Sequence, residues 1–188
     1  RIKSLREKFL SQEELKNLLS AASSNIRDYA ILLTAYTHAL RISEVGMIDM
    51  ENFKEAENRI YIKRVKEGFN NWYVMSDDVR KAIKRWLVLR GKEPGPLFVS
   101  RKHKSTKAGI GKRQLDVLFK LYAIKGGLPE KHHNFHTLRH TCAVDLVDKG
   151  VPIKNIQDWL GHTNIQSTMI YAEVSDSARE KTAEIFYG

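Results

Sequence analysis

The stretch RIYIKRVKEGFNNWYVM, residues 59–75, carries two short runs of β-branched and aromatic residues, Ile60-Tyr61-Ile62 and Trp72-Tyr73-Val74, on either side of the turn-like Lys66-Glu67-Gly68-Phe69-Asn70-Asn71. Strand formers flanking such a segment predict an antiparallel hairpin with Lys66 at its tip. The sequence on both sides has a helical period instead. Upstream, Ser11 followed three residues later by Glu14 is a capping box, and Leu15, Leu18 and Leu19 recur behind it at the spacing of one helix face. A second helix is expected over 26–36 and a short third one from Ser43. Downstream, Val79, Ile83, Trp86 and Leu87 give one apolar side to a helix over 77–89. Residues 90–110 hold Pro94, Gly95 and Pro96 among many basic residues and read as a connector. Helices are then expected over 112–125, 137–149, 152–160, 165–171 and 176–186. Gly126-Gly127, Gly150 and Gly161 stand where three of them should stop, since glycine adopts left-handed backbone at little cost. The expected fold class is α+β, mostly α, with one small antiparallel sheet.

The chain has 188 residues, the length of one compact domain. Lys and Arg number 32 against 22 for Asp and Glu, a formal charge of +10, so the favoured partner is a polyanion, nucleic acid ahead of a membrane surface. A hydrophobic content of 42%, with aromatics spread along the whole length, excludes a disordered chain. The single cysteine, Cys142, excludes an internal disulfide and a cysteine-rich zinc cage, which suits a reducing compartment, the cytoplasm. No apolar run approaches the roughly 18 residues of a membrane span. The chain begins at Arg1 with no apolar signal region behind it, and reads as a piece of a longer protein.

Three segments carry chemistry: Leu40-Arg41-Ile42-Ser43-Glu44-Val45, His136-Thr137-Leu138-Arg139-His140-Thr141, and Leu160-Gly161-His162 followed by Thr168-Met169-Ile170-Tyr171. In this order and spacing, with Lys66 on a hairpin between the first and the second, they resemble the catalytic domain of the tyrosine recombinases, the family of phage integrases and Xer-type resolvases. The resemblance runs from the helix at Ser11 to the tail. It implies the tyrosine recombinase catalytic fold and site-specific DNA recombination, in which strands are cut and rejoined through a covalent 3′-phosphotyrosine without metal or other cofactor.

The resemblance also assigns residues. Arg41 and Arg139 match the two phosphate-binding arginines: a planar, permanently charged fork binds two nonbridging oxygens and stabilises the extra charge of a pentacoordinate transition state. Tyr171 matches the nucleophile, a phenol of pKa about 10 that needs a base and nearby cations to attack at neutral pH. His136 and His162 match the two positions whose rings reach a nonbridging oxygen, and His136 is the better base for the tyrosine proton. Lys66 matches the general acid that protonates the departing 5′ oxygen. Lys63, expected on the strand, and Arg64, expected on its other face, compete for that role. Glu44, which can also pair with Arg41, and His140 are supporting residues. Ala39 stands where the family usually has glycine and Val45 where it has leucine, both read as small changes inside a helix.

Two other readings compete. His132, His136 and His140 recur every four residues and would bind a divalent metal if they shared one helix face, giving a metal-dependent nuclease. Residues 145–156 read helix, glycine turn, helix, and would make a noncatalytic helix-turn-helix DNA-binding module. Among the basic residues, Arg101, Lys102, Lys104 and Lys107 fit a loop that follows the DNA backbone, and equally a solvated charge run. The expected organisation is a linker remnant over 1–8, left from an N-terminal DNA-binding domain, and the catalytic domain over 9–188 with its C-terminal helix at 176–186. Expected partners are double-stranded DNA and three further copies of the chain, a homotetramer on paired sites, with the isolated chain monomeric and no membrane involved. The tail helix is too short to stand alone; the resemblance implies docking on a neighbouring copy, and the alternative is that it folds back on its own domain.

Overall fold

The computed structural model describes residues 8–65, 69–100, 108–173 and 183–187. The capping box forms at the first helix, α1 (Gln12–Ala22): Ser11 Oγ accepts from Glu14 N, and the Glu14 carboxylate accepts from Ser11 N. Leu15 and Leu18 of its apolar face are buried. The next helix, α2 (Ile26–Thr37), starts where the Asn25 side chain accepts from Asp28 N. Its interior run from Ala30 to Ala35 is buried throughout, because α1, α4 and α6 all pack around it. A single turn, α3 (Ile42–Val45), follows.

The hairpin pairs β2 (Arg59–Ile62) with β3 (Asn71–Val74), and a strand that the sequence did not announce, β1 (Phe53–Lys54), pairs with the outer edge of β2. Two residues are too few to display an alternation, so β1 leaves no periodic signal. The sheet follows the order β1-β2-β3, all antiparallel. Ile60, Ile62 and Tyr73 face the core, while Tyr61 and Trp72 meet across the outer face as a tilted pair with ring centroids 5.2 Å apart.

Helix α4 (Asp77–Arg90) is capped by Ser76 and buries Val79, Ala82 and Ile83. The stretch after it is more than a connector. Leu97 and Phe98 are fully buried, Trp86 Nε1–H donates to Leu97 O, and Asp49 and Val99 make isolated bridges to Pro96 and Gly109. Helix α5 (Lys112–Lys125) ends at Gly126, but Gly127 carries the left-handed backbone, with φ +71°. Then come α6 (Thr137–Asp148), α7 (Ile153–Leu160) and α8 (Gln166–Ala172). No helix of the described residues is long and apolar enough to cross a membrane.

Helix α6 has buried residues around most of its girth because it lies between two apolar clusters. Leu138 belongs to the larger one, built from α1, α2, α4, α5 and the sheet, while Cys142, Ala143, Val144 and Val147 belong to the smaller one with Ile156, Leu160 and Tyr171. Residues 183–187 are helical and leave Ile185, Phe186 and Tyr187 exposed. The expected tail helix otherwise lies outside the described residues, as does the linker over 1–7.

Candidate active site

The site is organised by the turn between α2 and α3. Ala39 is not inside a helix: it has φ +49°, is fully buried, and reverses the chain between the last residue of α2 and the first cap of α3. The left-handed backbone explains why a glycine is at home there, and it turns the Ala39 carbonyl into the interior. That oxygen accepts from Arg139 Nη1 at 2.6 Å and from Arg64 Nη1 at 3.3 Å.

By sequence, Arg64 falls on the other face of the strand from Lys63, as a rival for the general-acid role. It is instead buried and spent. Its guanidinium donates to Glu44 Oε2, His38 O, Ala39 O, Trp159 O and the Tyr73 hydroxyl, and it lies over the Tyr73 ring. Gly161, with φ +65°, passes so close that a Cβ there would meet Arg64 Cγ at 2.8 Å. Burial alone would push the Glu44 carboxyl up, but Arg64, Arg41 and the Arg41 amide outweigh it and hold it below its ordinary value. Glu44 also accepts from Val65 N at 3.2 Å. It therefore ties together the cap of α3, Arg41 Nη1 at 2.9 Å, Arg64, and the residue preceding Lys66. Lys63 lies just past the end of β2 and is exposed.

Arg139 is 1% exposed, and its two terminal nitrogens are held by Ala39 O and by Leu160 O at 2.8 Å. Burial, then the charges of Arg41 and Arg64, lower its pKa to about 10, so it stays protonated at neutral pH. Arg41 is the more accessible of the pair, its side chain 18% exposed. Helix α8 packs on α6 and brings in Tyr171, itself nearly buried. Burial pushes the phenol up, while Arg139 and Arg41 pull against it. His162 Nδ1 lies 2.9 Å from Thr168 Oγ1; burial and the Arg139, Arg41 and Arg64 charges lower its pKa to about 3, which leaves it a neutral ring.

The two other histidines differ in what they reach. His140 Nδ1 is 2.9 Å from the Tyr171 hydroxyl. His136 caps the start of α6, is exposed, and sets its ring edge-to-face against His140 at 4.7 Å. The geometric reason is helical: position 136 lies at the mouth of the site, and one turn further in, position 140 faces α8. A one-turn offset between two histidines was visible in the sequence, but which of them meets Tyr171 depends on how α8 docks.

The metal reading is not supported. His132 sits in a separate 3-10 turn (Glu130–His132), buried opposite Glu14, and the described residues hold no group of metal ligands. In the helix-turn-helix segment, Val147 and Ile156 are buried, and Asp145 accepts from Tyr36 and Gln12. These contacts make it scaffold between Arg139 and His162. Lys66, Arg101, Lys102, Lys104 and Lys107 lie outside the described residues.

The model of the Phage integrase family matches residues 8–178. Type 1 fimbriae regulatory protein FimE of Escherichia coli K12 is 31% identical over 182 residues, covering 93% of this chain and 89% of FimE. Tyrosine recombinase XerA of Pyrococcus horikoshii is 32% identical over 168 residues, covering 89% of this chain and 57% of its own. A crystal structure of XerA recombinase superposes with a TM-score of 0.80 at 27% identity, over 96% of this chain and 65% of that one. The catalytic domain of bacteriophage HP1 integrase shares the fold, with a TM-score of 0.65 at 22% identity over 94% of this chain and 93% of that domain.

Proposed function

The chain belongs to the phage integrase family and is a tyrosine-type site-specific DNA recombinase, and from that premise we propose that Tyr171 is its nucleophile, acting on a phosphodiester held between Arg41 and Arg139. The Tyr171 oxygen takes the 3′ phosphate and the 5′ oxygen leaves. One ester replaces another of similar energy, so the bond can be resealed by a second 5′ hydroxyl without ATP. The carrying observation is the convergence of three distant segments: Arg139 is aimed by the Ala39 and Leu160 carbonyls, and the Tyr171 phenol feels both Arg139 and Arg41. His136 and His162 are hydrogen-bond partners for the nonbridging oxygens, Glu44 supports Arg41 from behind, and His140 holds the Tyr171 hydroxyl.

Lys66 protonates the departing 5′ oxygen. What supports this is its neighbour: Val65 is bound through N–H to Glu44 and through its carbonyl to Arg41, which anchors the start of the hairpin tip at the site. The substrate is double-stranded DNA, with Arg101, Lys102, Lys104 and Lys107 on its backbone, and the assembly is a tetramer on two sites built from monomers in the cytoplasm. The tail beyond Ser175 docks on a neighbouring copy, so truncation there abolishes assembly on paired sites and leaves monomer stability unchanged.

The test is a suicide substrate nicked beside the cleavage point. Unmodified protein gives an SDS-resistant adduct with or without EDTA, and Tyr171→Phe gives none. An undiminished adduct in that variant rejects Tyr171. Lys66→Ala is rescued by a 5′-phosphorothiolate, whose sulfur leaves without a proton; lack of rescue moves the acid role to Lys63.

A further inference from the structure

We propose that His140, rather than His136, is the catalytic base that takes the Tyr171 proton, an assignment that rests on the reading of Tyr171 as nucleophile. The hydroxyl and His140 Nδ1 are already 2.9 Å apart, within the range needed for direct transfer. His140 follows Arg139 on α6, so one helix carries both an arginine that binds the phosphate and the group that receives the proton. His136 is one turn nearer solvent, with its ring against His140. From there it can support the His140 ring and reach the phosphate, while the nucleophile is bonded to the inner histidine.

The electrostatic setting suits a base that switches on with substrate. In the free protein, burial and the charges of His136, Lys8 and Arg139 lower the His140 pKa to about 4, so the ring rests neutral. Across the hydrogen bond lies Tyr171, whose own surroundings include Arg139 and Arg41. A phosphodiester anion between those arginines cancels part of the positive field that opposes an imidazolium, and the negative charge gathering on phosphorus cancels more. The basicity of His140 rises as the reaction proceeds. As the bond from the Tyr171 oxygen to phosphorus forms and the bond to the 5′ oxygen breaks, the phenol proton moves to Nδ1 and the ring becomes an imidazolium. The 5′ oxygen takes its proton from the general acid. Resealing runs the same path backwards, with His140 returning the proton to the departing phenolate.

The experiment measures single-turnover adduct formation on the nicked substrate, with DNA affinity recorded separately, in His140→Ala, His140→Gln and His136→Ala, each with tyrosine or 3,5-difluorotyrosine at position 171. The glutamine variant retains a hydrogen-bonding side chain but cannot accept the proton, and it covers the case in which the alanine variant misfolds. The expected result is a loss of about 100-fold or more in both His140 variants with DNA affinity unchanged. The more acidic phenol, which ionises without a base, recovers at least tenfold of it. His136→Ala loses activity without that recovery. Loss in the His140 variants that difluorotyrosine does not relieve, or recovery confined to His136→Ala, overturns the assignment. No adduct from the unmodified protein overturns the nucleophile reading itself, a result separable from either.

Discussion

The two sides of α6 are held together by different physics. On one side, Leu138 joins Leu18, Ile31, Phe119 and Phe135 in a cluster of apolar side chains, each at most 1% exposed. On the other, Arg139, Arg64 and Glu44, no more exposed than 6%, are locked to one another and to the backbone carbonyls of His38, Ala39, Trp159 and Leu160. Apolar contact is non-directional and tolerates exchange of similar volumes. A buried guanidinium is tolerable only while its donors are matched, so the second region has one arrangement and no slack. That rigidity is useful where a phosphate must meet a preorganised charge.

The comparison breaks most visibly in catalysis. Arg41→Ala or Arg139→Ala should slow cleavage by about 100- to 1,000-fold, the loss typical of one transition-state donor, while nonspecific DNA affinity falls only modestly. Equal losses in rate and affinity, measured on the nicked substrate and by titration, would make them ordinary phosphate anchors.

Stability sharpens it next. Arg64→Lys keeps the charge but loses the fork, leaving the buried His38 and Trp159 carbonyls without the donor they share and Glu44 with one partner fewer, and should destabilise by about 3–5 kcal/mol. Ile31→Val, an equally conservative change in the apolar cluster, should cost about 0.5–1.5 kcal/mol. Urea unfolding of the two variants side by side decides, and similar values for both would erase the distinction. Gly161→Ala falls between them: a side chain at positive φ pressed against the fixed Arg64 stem should cost about 2–4 kcal/mol.

Acid should loosen the same seam. Burial, reinforced by Arg64, lowers the His38 pKa to about 4, whereas the unfolded chain titrates near 6.5. The unfolded state therefore binds more protons between those values. Stability is full above about pH 6.5 and declines towards pH 4, by up to about 3 kcal/mol from this residue. Unfolding midpoints at several pH values should follow that slope, and His38→Gln should flatten it; an unchanged slope would assign it to other groups. The smallest effect is expected at Ala39. In Ala39→Gly, relief of left-handed strain opposes the loss of a buried methyl and of chain stiffness, and the balance should lie within about 1 kcal/mol of zero. Ala39→Val, β-branched at the same backbone angle, should be clearly destabilising.

Much of this was legible in the chain. The capping box at Ser11, the apolar period of α1, α2 and α4, the hairpin runs and the glycines that end α5, α6 and α7 are local features. Local propensity and periodicity determine them, and the spacing of Arg41, Arg139, His162 and Tyr171 carried the family and its chemistry. Other features have no local signature. The role of Arg64 depends on partners from α2, α3, β3 and α7 that meet only in the folded chain. The burial of Leu97 and Phe98 depends on a segment whose prolines and glycine read as loop. Which of His136 and His140 meets the Tyr171 hydroxyl depends on the docking of α8 against α6, a matter of a few ångströms between helices. Sequence periodicity records which face of a helix is apolar. Only tertiary packing decides which polar atom on that face finds which partner, because a hydrogen bond is set by distance and angle between elements far apart in the chain.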